Sequence, residues 1–79
     1  MLGKKELRLV VTFRTTADAM AMEDVCREEG VKGRLIPVPV SISAGCGLAW
    51  CAPVEEREAV CRVMEAHQIR EEGLHECLV

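Results

Sequence analysis

Short apolar stretches alternate with amphipathic ones along the chain, and this alternation predicts four strands and two helices. The stretch from Leu7 to Phe13 is aliphatic and β-branched, with its odd-numbered positions on one face, which is typical of a buried central strand. Gly33–Ile36 is predicted as a short second strand that ends or becomes an edge at Pro37, because proline donates no hydrogen bond to a sheet. Leu48–Cys51 and Leu74–Val79 are predicted as the third and fourth strands.

Two segments have the 3.6-residue periodicity of helices that pack on one side. The first is predicted to begin after an N-cap hydroxyl from Thr15 or Thr16 and to continue to Glu29, where Gly30 ends it. The second is predicted to begin at Pro53, which suits a first helical turn, and to continue to about His67. The apolar arc of the first helix contains Ala19, Met20, Met22 and Cys26, and one face of the second helix contains Val60, Val63, Met64 and His67.

The resulting order, β-α-β-β-α-β, has a known compact solution in the ferredoxin-like sandwich. We therefore predict an α+β fold with a four-stranded antiparallel sheet and both helices on one face. At 79 residues and 8.7 kDa the chain is expected to form a single domain, residues 1–79, with residues 1–6 as a flexible N-terminus. A domain of this size builds one thin core, so its chemistry is expected near the surface.

Composition narrows the classes of function. The net charge of −3 and the aromatic content of 3% disfavour phosphate-backbone binding and base stacking, so no nucleic-acid partner is expected. The apolar run from Leu35 to Pro53 is interrupted by prolines, serines and glycines, so we expect no membrane association. Five cysteines, an odd number without a secretion signal or a Cys-x-x-Cys pair, suggest a cytoplasmic protein with free thiols and neither a metal nor another cofactor.

The segment Ser43-Ala44-Gly45-Cys46-Gly47 is the candidate for chemistry. Gly45 and Gly47 flank Cys46 without side chains that would shield its sulfur, so the thiol is expected to be exposed. Right-handed crossovers would make the first two strands parallel, and the loop after the second strand would then lie beside the start of the first helix. Arg14, Thr15, Thr16 and the hydroxyl of Ser43 would surround Cys46 there and favour its thiolate.

These residues resemble a known family, the small sulfur/selenium carrier-like domains of the DUF3343 family. The resemblance covers roughly Leu9 to the C-terminus and rests above all on the block from Ser43 to Ala49. It also includes Val11-Thr12-Phe13, Thr16-x-Asp18-Ala19, Glu23, Gly30-Val31 and Arg34-Leu35-Ile36-Pro37. The resemblance implies a carrier rather than a stand-alone enzyme, in which Cys46 holds sulfur or selenium as a persulfide or selenosulfide between a donor and an acceptor protein.

The chain departs from the family pattern at three places: Arg14 stands where proline is common, and Cys51 and Cys61 replace other residues. Cys61 is expected near the rim of the core, whereas Cys26 is expected inside it, because free cysteine behaves as a small hydrophobe. Cys77 should approach the end of the sheet away from the candidate loop. A disulfide from Cys51 back to that loop requires most of the intervening chain to be irregular.

Glu23 falls within the apolar arc of the first helix, where a carboxylate needs a partner. It is predicted to be a buried partner of Arg34 or, alternatively, a group near the cysteine loop. His67 and His75 are expected to be structural or solvated.

Two other classes of function stay open at this stage. One is a metal or iron–sulfur module that uses Cys46 and Cys51, with His75 or Cys77 as further ligands. The other is a ferredoxin-like interaction domain in which no cysteine is special. A homodimer through the second strand is also left open, although short edges pair weakly.

Overall fold

The computed structural model describes residues 6–42 and 47–79. Its elements follow the predicted order: β1 (Leu7–Thr12), α1 (Thr16–Glu29), β2 (Arg34–Pro37), β3 (Leu48–Pro53), α2 (Arg57–Ala66) and β4 (Gly73–Leu78). The predicted start of the second helix is wrong. Pro53 is the last residue of β3, and a single 3-10 turn, Val54–Glu56, separates it from α2.

The four strands form one antiparallel sheet in the order β2-β3-β1-β4, with β1 between two neighbours. This is the ferredoxin-like α+β arrangement that the sequence predicted. Thr12 at the end of β1 lies opposite Ala49 on β3 and Gly73 on β4, and Pro37 at the end of β2 lies opposite Leu48. These five residues therefore mark one end of the strands, which we name the loop end.

The core lies between the sheet and the helices. Alternate residues of β1 point to one face of the sheet, and Leu9 and Val11 are fully buried there. The other buried members of this core are Phe13, Ala19, Met22, Cys26, Trp50, Ala52, Val60, Val63, Met64 and Ile69. The predicted core position of Cys26 is confirmed, because its side chain is fully buried.

One position in the predicted apolar arc of α1 is wrong. Met20 is 55% exposed, because the stripe of α1 that contacts the sheet is narrow and contains only Ala19, Met22 and Cys26 as buried residues. His67, which was expected to be structural or solvated, follows the last turn of α2 and is exposed. Its Nε2 atom lies 3.1 Å from a carboxylate oxygen of Glu29, so it links the ends of the two helices.

The face of the sheet opposite the helices also contains buried residues. Val10 and Thr12 alternate with the core residues of β1 and therefore point to this second face, where their exposures are 0% and 1%. Ala49 and Cys51, which lie opposite them on β3, are buried on the same face. A thiol is therefore placed on the side of the sheet that the helices leave uncovered.

Gly33, just before β2, is in direct contact with the indole of Trp50. Its φ angle of +146° lies in a region that side chains rarely adopt, and an added Cβ would lie 2.5 Å from the indole Nε1 atom. That Nε1 atom is buried and has no hydrogen-bond partner among the described residues. The position thus requires glycine for both its backbone conformation and its space.

In the part of the chain that the structure describes, neither helix reaches the length and apolar character needed to cross a bilayer.

Candidate functional site

The connection between β2 and β3 begins and ends at the loop end. The Val38 N–H donates to the Gly47 carbonyl at 3.0 Å, which extends the pairing of the two strands by one step. A turn follows, in which the Ile42 N–H donates to the Pro39 carbonyl at 2.9 Å. Ser43, Gly45 and Cys46, three of the predicted site residues, lie outside the described residues. The hydrogen bond at Gly47 nevertheless anchors the residue that follows Cys46 in the chain.

The first turn of α1 lies at the same end of the sheet, as predicted. Thr15 is the N-cap: the Asp18 N–H donates to its Oγ1 atom at 3.1 Å, and its hydroxyl donates to the Asp18 carboxylate at 2.9 Å. Of the two threonines proposed as caps, Thr15 is therefore the one that acts. Thr16 is the first helical residue and, like Arg14, is exposed. Arg14, Thr15 and Thr16 are thus brought together beside the β1 terminus.

The cap gives a first test of this local structure. Thr15→Ala should lower the free energy of unfolding by about 1 kcal/mol, because the Asp18 N–H loses its acceptor at the start of α1. Urea unfolding followed by circular dichroism measures the change. Thr16→Ala, one residue further along, is the matched control and should have a smaller effect. Equal effects for the two variants would contradict the assignment of the cap.

A pocket of about 340 Å³ opens at the N-terminus of α1. Its lining residues are Arg14, Thr15, Asp18, Gln68, Arg70 and Glu71. The last three come from the segment before β4, which is held here because the Glu72 N–H donates to the Thr12 carbonyl at 2.6 Å. The guanidinium groups of Arg14 and Arg70 and the partial positive charge of the helix favour anions, whereas Asp18 and Glu71 oppose them.

Sequence reasoning missed Gln68 and Arg70. Arg70 is more than fifty positions from Arg14, and only the pairing of β4 with β1 brings them to one pocket. The available signal was topological, because parallel third and fourth strands must begin at the same edge of the sheet. Gln68 has a φ of +58°, an uncommon conformation for a residue with a side chain, which turns the chain from α2 toward β4.

Glu23 and Arg34 do not join the loop end. Arg34 begins β2 and lies opposite Cys51, away from the end marked by Pro37. The predicted buried pairing of Glu23 with Arg34 is wrong: the Glu23 side chain is 43% exposed, and among the described residues its ion-pair partner is Arg27, at 3.8 Å. Glu23 and Arg34 do line one pocket, together with Trp50.

The four cysteines within the described residues occupy different environments. Burial raises the pKa of Cys26 from 9.0 to about 11. Burial also raises the pKa of Cys51, although the guanidinium groups of Arg8 and Arg34 act in the opposite direction. Cys61 is half-buried on α2, near the core rim as expected, and Cys77 lies opposite Arg8 at the sheet end away from Thr12, also as expected.

Regular structure limits what Cys51 can do. Because β3 is regular from Leu48 onward, most of the chain before Cys51 is strand, and the condition for its disulfide with Cys46 is not met. Within residues 6–42 and 47–79, no three His, Cys, Asp or Glu side chains form a group that could hold a metal ion. No specific arrangement of the described residues therefore favours the metal or iron–sulfur module.

The described residues define a small ferredoxin-like α+β fold in which the connection between β2 and β3 begins and ends at the loop end, where α1 also begins. A family model described as "Putative Se/S carrier protein-like" matches residues 8–76. The chain belongs to this family of Se/S carrier-like proteins, which agrees with the resemblance identified from the sequence. No curated protein and no solved structure matches the chain.

Proposed function

We propose that this protein carries sulfur or selenium on Cys46 and delivers it to a partner protein. The observation that supports this most directly is the strand register at the loop end. Both anchors of the cysteine-bearing connection, Val38 and Gly47, lie at the end of the strands where α1 begins. Family membership supports the class of cargo.

The transfer needs one nucleophilic sulfur and no external oxidant. The Cys46 thiolate attacks the terminal sulfur of a donor persulfide, a new S–S bond forms to Cys46, and the donor leaves as a thiolate when its own S–S bond breaks. An acceptor thiolate then repeats the same exchange on the Cys46 persulfide. Selenium carried at the same position would follow the same scheme. Two successive displacements therefore move one chalcogen atom with no net oxidation or reduction.

The residues at the loop end would help in two ways. A cation and a helix N-terminus lower the pKa of a nearby thiol and stabilise the terminal anion of a persulfide. Arg14 and the first turn of α1 provide both, whereas the carboxylate of Asp18 offsets part of the effect. Gly47, with φ at +81°, lets the chain turn into β3 immediately after Cys46. We place the transfer in the cytoplasm, where an odd number of free thiols is ordinary.

Mass spectrometry tests the proposal. After incubation with a cysteine desulfurase and cysteine, or with a selenium donor, the protein should gain one chalcogen atom that peptide analysis assigns to Cys46. Cys46→Ser should gain none, because serine cannot form the persulfide. Cys61→Ser is the matched control, since Cys61 lies on α2 away from the loop end, and it should load like the wild type.

Two results would overturn the proposal. One is an adduct that persists in Cys46→Ser at the wild-type level, and the other is equal labelling of Cys46, Cys61 and Cys77. Circular dichroism of each variant verifies that the fold is intact, so a loss of loading can be assigned to the missing thiol.

A further inference from the structure

A second pocket lies on the uncovered face of the sheet, away from the loop end. It has a volume of about 390 Å³ and is lined by Arg8, Lys32, Gly33, Arg34, Cys51 and Pro53. We name it the cationic pocket. The strand register explains its composition: Arg8 lies opposite Pro53, and Cys51 lies opposite Arg34, and directly opposed residues share one face of a sheet.

The charge of the cationic pocket is opposite to that of the whole protein. Three of its six lining residues are cationic and none is acidic, although the chain as a whole carries a net charge of −3. Arg8 is held by Glu6 at 3.4 Å and donates from Nε to the Val79 carbonyl at 3.4 Å. Among the described residues, no ion pair engages Lys32 or Arg34. These two side chains are therefore available to an anion from solution.

The neighbouring pocket, on the helix side of β2, contains an arginine whose charge is paired with carboxylates. There Arg27 lies 3.8 Å from Glu23 and 3.5 Å from Asp24, so its charge is balanced within α1. Gly33 and Arg34 line both pockets, because β2 is an edge strand and its first residues contact both faces of the sheet. Among the described residues, the cations beside β2 that lack an ion-pair partner are therefore Lys32 and Arg34, which line the cationic pocket.

The cationic pocket includes one thiol, that of Cys51. Cys51 is 6% exposed, and the guanidinium groups of Arg8 and Arg34 are close enough to lower its pKa against the larger opposing effect of burial. An anion bound to the same cations would cancel their influence on the thiol. Occupancy of the pocket would therefore be reported by the reactivity of Cys51.

We infer that the cationic pocket binds a tetrahedral oxyanion, either a free inorganic ion or the phosphate of a small molecule, held by Lys32 and Arg34. A guanidinium presents paired N–H donors that match an oxyanion, and an ammonium adds a point charge. The concave shape and the buried thiol favour a small ligand over an acidic protein surface. The inference is independent of the proposed function, because the pocket lies away from the loop end.

Competition against alkylation of Cys51 tests the inference. Iodoacetamide labelling is followed by peptide mass spectrometry at fixed ionic strength, with chloride replaced by inorganic phosphate in one arm and by glycerol phosphate in the other. A charge about 6 Å from the thiolate, at an effective dielectric constant of about 40–80, should slow labelling roughly threefold to tenfold. The arm that protects at the lower concentration identifies the source of the oxyanion.

Matched variants separate the pocket from general screening. Lys32→Gln and Arg34→Gln should lose the protection, whereas Arg62→Gln, on α2 and outside the pocket, should retain it. Amide chemical shifts of Gly33 and Cys51 give a second readout that does not depend on thiol reactivity, and they should move on titration. The inference fails if neither phosphate nor glycerol phosphate protects better than chloride, if protection survives in both pocket variants, or if neither compound shifts these amides.

Discussion

Replacing Gly33 with alanine should lower the free energy of unfolding by about 2–5 kcal/mol, which is a large part of the stability of a domain of this size. The new Cβ would lie 2.5–2.7 Å from three atoms of the Trp50 indole, and the buried ring cannot move aside without disturbing the core. The φ of +146° adds a backbone penalty for any side chain. Urea unfolding followed through the fluorescence of Trp50, the one tryptophan, measures the loss.

Gly30 provides the matched control for this prediction. It ends α1 with a φ of +74°, but an added Cβ there would meet nothing within 4 Å. Gly30→Ala should therefore cost only the backbone penalty, about 1–2 kcal/mol. In a Trp50→Phe background, with unfolding followed by circular dichroism because the one tryptophan is gone, the cost of Gly33→Ala should fall toward this value, since the smaller ring removes part of the clash. Equal costs for the two glycines in the wild type would show that the indole contact is unimportant.

The stability of the protein should decrease at alkaline pH because of Cys26. The thiol is fully buried, and burial raises its pKa from 9.0 to about 11, so the folded state holds the proton more tightly than the unfolded chain. The stabilisation from this difference is fully present below pH 9 and is lost as the pH rises toward 11. By pH 11 the free energy of unfolding should have decreased by about 2–3 kcal/mol. Unfolding curves in urea at a series of pH values measure the decrease.

Two cysteine variants separate this effect from other alkaline transitions. Cys26→Ala should be less stable at neutral pH because it leaves a small cavity, but its stability should decrease less between pH 9 and 11. Burial also raises the pKa of Cys51, so a smaller decrease in the same direction should remain. Cys61→Ala keeps Cys26 in place and should retain the full decrease. An unchanged pH dependence in Cys26→Ala would refute the assignment.

Local patterns in the sequence were enough to predict most elements of this fold. Alternation over Leu7–Phe13 identified the central strand, and the Thr15 cap and Gly30 stop delimited α1, because these signals depend on residues close together in the chain. The start of α2 was the main boundary error. Proline is compatible both with the first turn of a helix and with the end of a strand. Only the pairing of Pro53 with Arg8 on β1 shows that it belongs to the strand.

The candidate site was less predictable because much of it depends on contacts between distant segments. Arg70 reaches the pocket beside Arg14 through the register of β4, and the cationic pocket depends on β1, β2 and β3 together. A shift of one residue in any strand would turn these side chains to the other face, and local patterns do not determine register to that accuracy. The role of Cys46 stays a prediction from its flanking glycines and the family.

The central position of β1 has a consequence for how the chain is made. β1 is synthesised before both of its neighbours in the sheet, β3 and β4. Thr12 meets Gly73 only after 61 further residues have been added, which takes roughly 3–12 s at ordinary rates of translation. Before β3 is synthesised β1 has no partner on either edge, and before β4 is synthesised one edge of β1 stays open. The nascent chain must therefore avoid aggregation at β1 before it can present its cysteines in a folded domain.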